Sequence, residues 1–174
     1  MAKKLENMGW RDLEKLVQEK LNELKKVSKL NFYRLTDSKA AGNLVQQVPA
    51  DFSVTFRGHH LFIEAKFSEV ADSLSQCFAN VKTTQLAHAY LERRAGGSYW
   101  ILFGSAVSQH FEVWSGTTLH ALRSNGKRIS HSYRDLVTKD FDEAMRFMLS
   151  NKSCKVDEEF DNESKAKKTV SKSG

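Results

Sequence analysis

The chain has 174 residues, of which 40% are hydrophobic and 28% charged, so it is long enough for one globular domain with a core and short for two. Lys and Arg number 27 against 21 Asp and Glu, and the formal charge of +6 favours a polyanionic partner without identifying it. Cys77 and Cys154 lack metal-ligand spacing, and no apolar run approaches the roughly 20 residues of a membrane helix. We therefore expect reduced thiols, no membrane span and a cytoplasmic location.

The first half of the chain is predicted to contain one helix and three strands. Apolar residues recur at helical spacing between residues 9 and 27, which predicts an amphipathic helix. A short strand is expected over residues 31–35. Phe52, Val54 and Phe56 then alternate with polar residues, and residues 60–66 resume as a strand after Gly58-His59. These segments predict a β-hairpin that turns at Gly58-His59.

The second half is predicted to add three helices and two strands. A helix over residues 84–94 stops at Gly96-Gly97, a buried strand follows over 98–103, and a more exposed strand over 110–114. Short helices are expected over 117–122 and 141–149, the last with Phe141, Ala144, Met145 and Met148 facing inward. The elements predict an α/β fold over residues 1–150, with a central mixed sheet flanked by helices. Residues 151–174, with six Lys against five Asp and Glu, are expected to be disordered.

Ionisable residues follow the predicted hairpin on one face. If the turn is Gly58-His59, Asp51 lies opposite Lys66 and Ser53 opposite Glu64, so both carboxylates can reach one cation with the lysine beside it. Carboxylates without His or Cys partners suit Mg²⁺ or Mn²⁺ and support metal-assisted phosphodiester hydrolysis. The alternative is a hairpin whose exposed face merely carries charges, and periodicity alone favours it.

The spacing of these residues resembles a known nuclease signature. Pro49-Ala50-Asp51, followed about a dozen residues later by Glu64-Ala65-Lys66, resembles the PD-(D/E)xK motif. Residues 57–66, Gln85 with His88, and residues 97–103 resemble the RecU family of Holliday junction resolvases, over roughly residues 9 to 115. The resemblance implies a restriction-endonuclease-like fold. The segment over residues 35–48 is much shorter than the protruding segment of RecU proteins, so this chain resembles a compact relative, either a phage-type enzyme or one nearer the archaeal resolvases.

The resemblance also implies roles for individual residues. Metal binding would fall on Asp51, Glu64 and Ala65, and catalysis on Asp51, Glu64, Lys66, the helical Gln85 and the first-helix acid Glu14. A solvated helix charge remains the alternative for Glu14, and a helix-capping side chain for Gln85. Basic residues expected near the site could hold DNA phosphates, with a solvated basic surface as the alternative: Lys39, Arg57, Lys82, Arg93 and Arg94.

The expected function is Mg²⁺-dependent DNA cleavage at four-way junctions, with Mn²⁺ able to substitute. Two symmetric cuts in a two-fold substrate imply a homodimer. The expected location is the cytoplasm of a bacterium or of a phage-infected host cell. Two alternatives stay open: a nuclease of the same superfamily acting on linear duplex DNA or its ends, and a DNA-binding relative that does not cleave.

Overall fold

The fold is built on a six-stranded mixed sheet. The computed structural model describes residues 5, 8–35, 48–70, 79 and 81–150, so the predicted tail and Lys39 lie outside the described residues. The strands follow chain order in the sheet, and the single parallel pair is β3 with β4. The elements are α1 (Trp10–Val27), β1 (Leu30–Arg34), β2 (Phe52–Phe56), β3 (His59–Ser68), α2 (Thr83–Arg94), β4 (Ser98–Ser105), β5 (His110–Ser115), α3 (Gly116–Ser124), a 3₁₀ turn (His131–Tyr133), β6 (Leu136–Thr138) and α4 (Phe141–Ser150).

Helices cover both faces of the sheet. On one face, the apolar stripes of α1 and α4 pack against inward residues of β3 such as Leu61 and Ile63. On the other face, α2 and α3 pack against β4 and β5 through a second core that contains Ile101 and Trp114. The predicted fold class, a central mixed sheet flanked by helices, is confirmed. No helix within the described ranges is long and apolar enough to cross a membrane.

The hairpin turn differs from the prediction by one residue. Its central residues are Arg57 and Gly58, with φ of +51° and +80°, so the predicted Gly58-His59 turn is wrong. A two-residue hairpin turn with both φ values positive matches the twist of the strands, and glycine suits its second position. Phe56 therefore pairs with His59. The predicted register is wrong too: Ser53 pairs with Phe62, and by extension Asp51 falls opposite Glu64 rather than Lys66.

The strand over residues 110–114 was predicted to be more exposed, and this is wrong. Every residue of β5 except His110 is buried. Both faces of β5 are covered: Phe111 and Val113 belong to the core under α1 and α4, and Trp114 belongs to the core under α2 and α3. A strand of three residues that the sequence pattern did not predict, β6, pairs along its outer edge. In α4, the predicted inward residues Ala144, Met145 and Met148 are buried, whereas Phe141 is only partly buried.

The turn makes a testable prediction about stability. Gly58→Ala should lower the free energy of unfolding by about 1–2 kcal/mol, because its positive φ disfavours a Cβ atom. A Cβ at this position would meet no atom within 4 Å, so the loss would come from the backbone alone. Arg57→Asn should raise the same free energy, since Asn tolerates a positive φ better than Arg. Urea unfolding measures both changes.

Arg57→Lys is the matched control, because it keeps the charge and the conformational preference. It should unfold like the wild type. Equal stabilities for Gly58→Ala and the wild type would contradict the described turn.

Candidate active site

A cleft of about 330 Å³ opens where β1 and β2 stop and β3 continues. Arg34, the last residue of β1, pairs with Phe52, the first of β2, whereas β3 runs on from Ile63 to Ser68. The far part of β3 is therefore left beside α1 and α2. The cleft is lined by Trp10, Glu14, Arg34, Leu35, Val48, Ala50, Asp51, Glu64, Lys66, Lys82 and Gln85.

The five predicted catalytic residues all line this cleft, and three of them are in close contact around β3. Asp51 immediately precedes β2, and its Oδ2 accepts a hydrogen bond of 2.7 Å from the Ala65 N–H. Lys66 Nζ lies 2.5 Å from Glu64 Oε1. The other carboxylate oxygen, Glu64 Oε2, is buried and has no hydrogen-bond partner among the described residues. Glu64 itself is only 2% exposed.

The two carboxylates are electrostatically unfavourable as they stand. The pKa of Asp51 is raised from 3.8 to about 7, first by burial and next by repulsion from the Glu64 carboxylate. The hydrogen bond from Ala65 and the charge of Lys66 oppose this shift without cancelling it. A buried carboxylate with an unpaired oxygen costs free energy unless a positive group meets it. The site therefore has the charge and the free lone pairs to accept a cation.

The oxygen donors fit a hard divalent cation. In an extended strand, the N–H and C=O groups of one residue face the same edge, so the Ala65 carbonyl faces the edge on which its N–H binds Asp51. Within the described ranges, no three His, Cys, Asp or Glu side chains cluster as a metal site. Two carboxylates and one carbonyl suit Mg²⁺, which retains several of its waters and takes few protein ligands.

Glu14 and Gln85 reach the cleft from the two flanking helices. The Glu14 side chain is 14% exposed, and its Oε2 lies 2.6 Å from Arg34 Nη2, so it is an ion-paired group rather than a solvated charge. Gln85 Oε1 accepts a 3.0 Å hydrogen bond from the Lys82 N–H at the start of α2. This contact is the helix-capping role that was the alternative for Gln85, and the residue also lines the cleft.

Most of the basic residues expected near the site lie elsewhere. Lys82 lines the cleft. Arg57 sits at the hairpin turn, roughly 20 Å from Asp51 at the rise of a strand. Arg93 and Arg94 end α2, and Arg93 is roughly 16 Å along that helix from Lys82. These three arginines do not line the cleft, and their binding to DNA stays a prediction.

Two residues that the sequence did not single out support the site. Arg34 pairs with Glu14 across the cleft, and nothing in its position at the end of a short strand marks it in advance. The Tyr99 hydroxyl donates a 2.6 Å hydrogen bond to the Pro49 carbonyl, which ties the segment before Asp51 to β4. A Cβ on Gly116 would lie 2.6 Å from the Tyr99 ring, so glycine gives this tyrosine its room.

No family model and no curated protein matches the sequence. Among solved structures, the chain is similar to Hjc from Archaeoglobus fulgidus, a Holliday junction resolvase from an archaeal hyperthermophile. The TM-score is 0.38 and the identity 15%, over 60% of this chain and 77% of that chain. A similarity of this size does not show which family the chain belongs to, so the resemblance to RecU stays a prediction.

The raised pKa of Asp51 predicts how metal-free stability depends on pH. Its folded-state pKa of about 7 exceeds the unfolded value of 3.8, so the folded protein retains a proton that the unfolded chain releases. This contribution is complete below pH 3.8 and is lost as the pH rises through 7. The free energy of unfolding in EDTA should therefore fall by about 1.4 kcal/mol for each pH unit in this window.

Urea unfolding of Asp51→Asn at the same pH values separates this contribution from all others. The variant should lose the slope that Asp51 causes and be more stable than the wild type at pH of about 8. Glu19→Gln, which neutralises an exposed acid of α1, is the control and should keep the wild-type slope. Identical slopes in Asp51→Asn and the wild type would contradict the raised pKa.

Proposed function

We propose that the chain is a Mg²⁺-dependent endonuclease that hydrolyses DNA phosphodiester bonds in this cleft, with four-way junctions as its target. The main support is the pair formed by the half-buried Asp51 and the buried Glu64 beside Lys66, with Glu64 Oε2 lacking a hydrogen-bond partner in the described part of the chain. Asp51, Glu64 and the Ala65 carbonyl would hold the cation. A bound Mg²⁺ would polarise the phosphodiester and lower the pKa of a bound water.

Lys66 is the group on this chain best placed to act on the phosphate. Its ammonium lies against Glu64 Oε1, so it can donate to an oxygen that gains negative charge beside the carboxylates. Asp51 must lose its proton to serve as a ligand, so cation binding should release a proton below pH of about 7. The metal and the lysine would thus act on the same phosphate.

Several features of the cleft favour a polyanion. The first turns of α1 and α2 both contribute residues to its lining, and a helix N-terminus carries a partial positive charge. Arg34, Lys66 and Lys82 add three cationic side chains, although Arg34 is paired with Glu14. DNA binding should accordingly weaken steeply as the salt concentration rises.

The preference for four-way junctions rests on the resemblance to RecU and not on the shape of the cleft. A junction has two-fold symmetry and is resolved by two symmetric cuts, so we propose a homodimer with one cleft in each subunit. Mn²⁺ should replace Mg²⁺, because both accept oxygen ligands.

A cleavage assay tests the proposed target. A labelled four-way junction and a linear duplex of the same sequence are incubated with Mg²⁺, with Mn²⁺ and with EDTA. Paired cuts in the junction alone, with either metal, are expected. Cuts in both DNAs would instead favour a general nuclease of the superfamily. A junction that is bound but not cut would contradict the proposed endonuclease activity.

Variants of the carboxylate pair test the site itself. Asp51→Asn and Glu64→Gln should each abolish detectable metal-dependent cleavage while junction binding persists, because each removes one cation ligand and keeps the fold. Glu19→Gln is the matched control, since it removes an exposed α1 carboxylate outside the cleft, and it should cut like the wild type. Cleavage at the wild-type rate by either cleft variant would show that the site is assigned wrongly.

A further inference from the structure

Trp10 is exposed although it continues the apolar stripe of α1. Leu13, Val17 and Leu21 follow it at helical spacing and are each fully buried, whereas Trp10 is 54% exposed and belongs to neither core. The other two tryptophans of the chain, Trp100 and Trp114, are 2% and 0% exposed. Core packing explains those two indoles and leaves Trp10 unexplained.

The exposed indole belongs to the lining of the candidate active site. Trp10 lies one helical turn before Glu14, and both residues line the cleft together with Asp51, Glu64 and Lys66. The Arg11 guanidinium lies over the Trp10 ring at 4.9 Å from its centroid, which places a further cation beside the ring. An exposed aromatic ring next to cationic side chains is the arrangement by which proteins hold a nucleobase and its phosphate together.

Base stacking limits what can bind this ring. The cleft volume of about 330 Å³ gives room for one nucleotide. A base inside a continuous duplex has both faces covered by its neighbours. An indole can therefore stack only on a base that has left the helical stack.

We propose that Trp10 is a stacking platform for an unstacked nucleobase next to the scissile phosphate. The inference rests on the proposed function and sharpens its substrate: the cleft would select DNA with an unstacked nucleotide at the cut, whether at a branch point or in a single strand. Trp10 would be a specificity-determining residue, and the carboxylates and Lys66 would perform the hydrolysis.

Intrinsic tryptophan fluorescence tests the contact directly. Trp10 is the one exposed tryptophan, so the difference between the emission of the wild type and that of Trp10→Phe reports on this residue. Four DNAs are added in EDTA, which prevents cleavage: a four-way junction, a single-stranded oligonucleotide, a continuous duplex, and the same junction with abasic nucleotides at the branch point. The junction and the single strand should quench Trp10 and protect it from acrylamide, and the duplex and the abasic junction should not.

Binding affinities test whether the contact contributes to substrate selection. Trp10→Ala should weaken binding of the junction and of the single strand by roughly 5- to 150-fold, the range for loss of one aromatic–base stack. It should leave binding of the duplex and of the abasic junction unchanged, and Trp10→Phe should retain part of the affinity. Tyr33→Ala is the matched control: Tyr33 is 65% exposed on the edge strand β1 but does not line the cleft, and its loss should change none of the affinities.

The outcomes separate this inference from the proposed function. Equal quenching by the intact and the abasic junction, or an equal loss of affinity for all four DNAs in Trp10→Ala, would overturn the stacking role. Junction cleavage with Mg²⁺ by a Trp10→Ala protein of unchanged affinity would overturn it too, while leaving the nuclease intact. Base-dependent quenching in a protein that cuts no DNA with Mg²⁺ or Mn²⁺ would support stacking and overturn the nuclease.

Discussion

The close approach of two carboxylates at the end of the hairpin, the buried Glu64 and the half-buried Asp51, is the constraint on which the site depends. Asp51 precedes β2, and Glu64 lies opposite it in β3. The Ala65 N–H donates a hydrogen bond to the Asp51 carboxylate and so fixes its position beside Glu64. The arrangement is costly without a cation, because it raises the pKa of Asp51 and leaves Glu64 Oε2 without a hydrogen-bond partner among the residues that the structure describes. The two carboxylates repel each other in this cleft, and a bound divalent cation would relieve that repulsion.

The surrounding elements hold this pair in place and leave it accessible. β3 runs beyond β2, so one edge of its last residues borders a cleft while the other edge stays paired with β4. α1 and α2 begin at that cleft, and Tyr99 anchors the segment that leads into Asp51. Arg34 and Glu14 form an ion pair across the opening. Trp10, the first residue of α1, remains exposed in the lining of the same cleft.

The sequence predicted the face of each hairpin residue better than the register. A change of turn from Gly58-His59 to Arg57-Gly58 moves the pairing by two residues, and a shift of two preserves the face because side chains alternate along a strand. The prediction that Glu64 and Lys66 share a face therefore holds, whereas the residues predicted to lie opposite them are different in the structure. The turn itself could not be predicted, because it depends on a positive φ at Arg57, which that residue type disfavours.

Long-range placement was harder to predict than local structure. A basic residue close in sequence to the site can lie at the far end of a helix, as Arg93 and Arg94 do at the end of α2. A strand as short as β6 has no periodicity to detect, and the burial of β5 comes from helices that lie far from it in sequence or on the opposite face. Glu14 was predicted from the family resemblance, whereas its ion pair with Arg34 is visible only in the folded structure.

The most direct test of the proposed cation site is an anomalous-scattering map from crystals grown with Mn²⁺. It should show a peak at about 2.0–2.2 Å from carboxylate oxygens of Asp51 and Glu64 and from the Ala65 carbonyl oxygen. A map with no peak between the two carboxylates would contradict the proposed cation site.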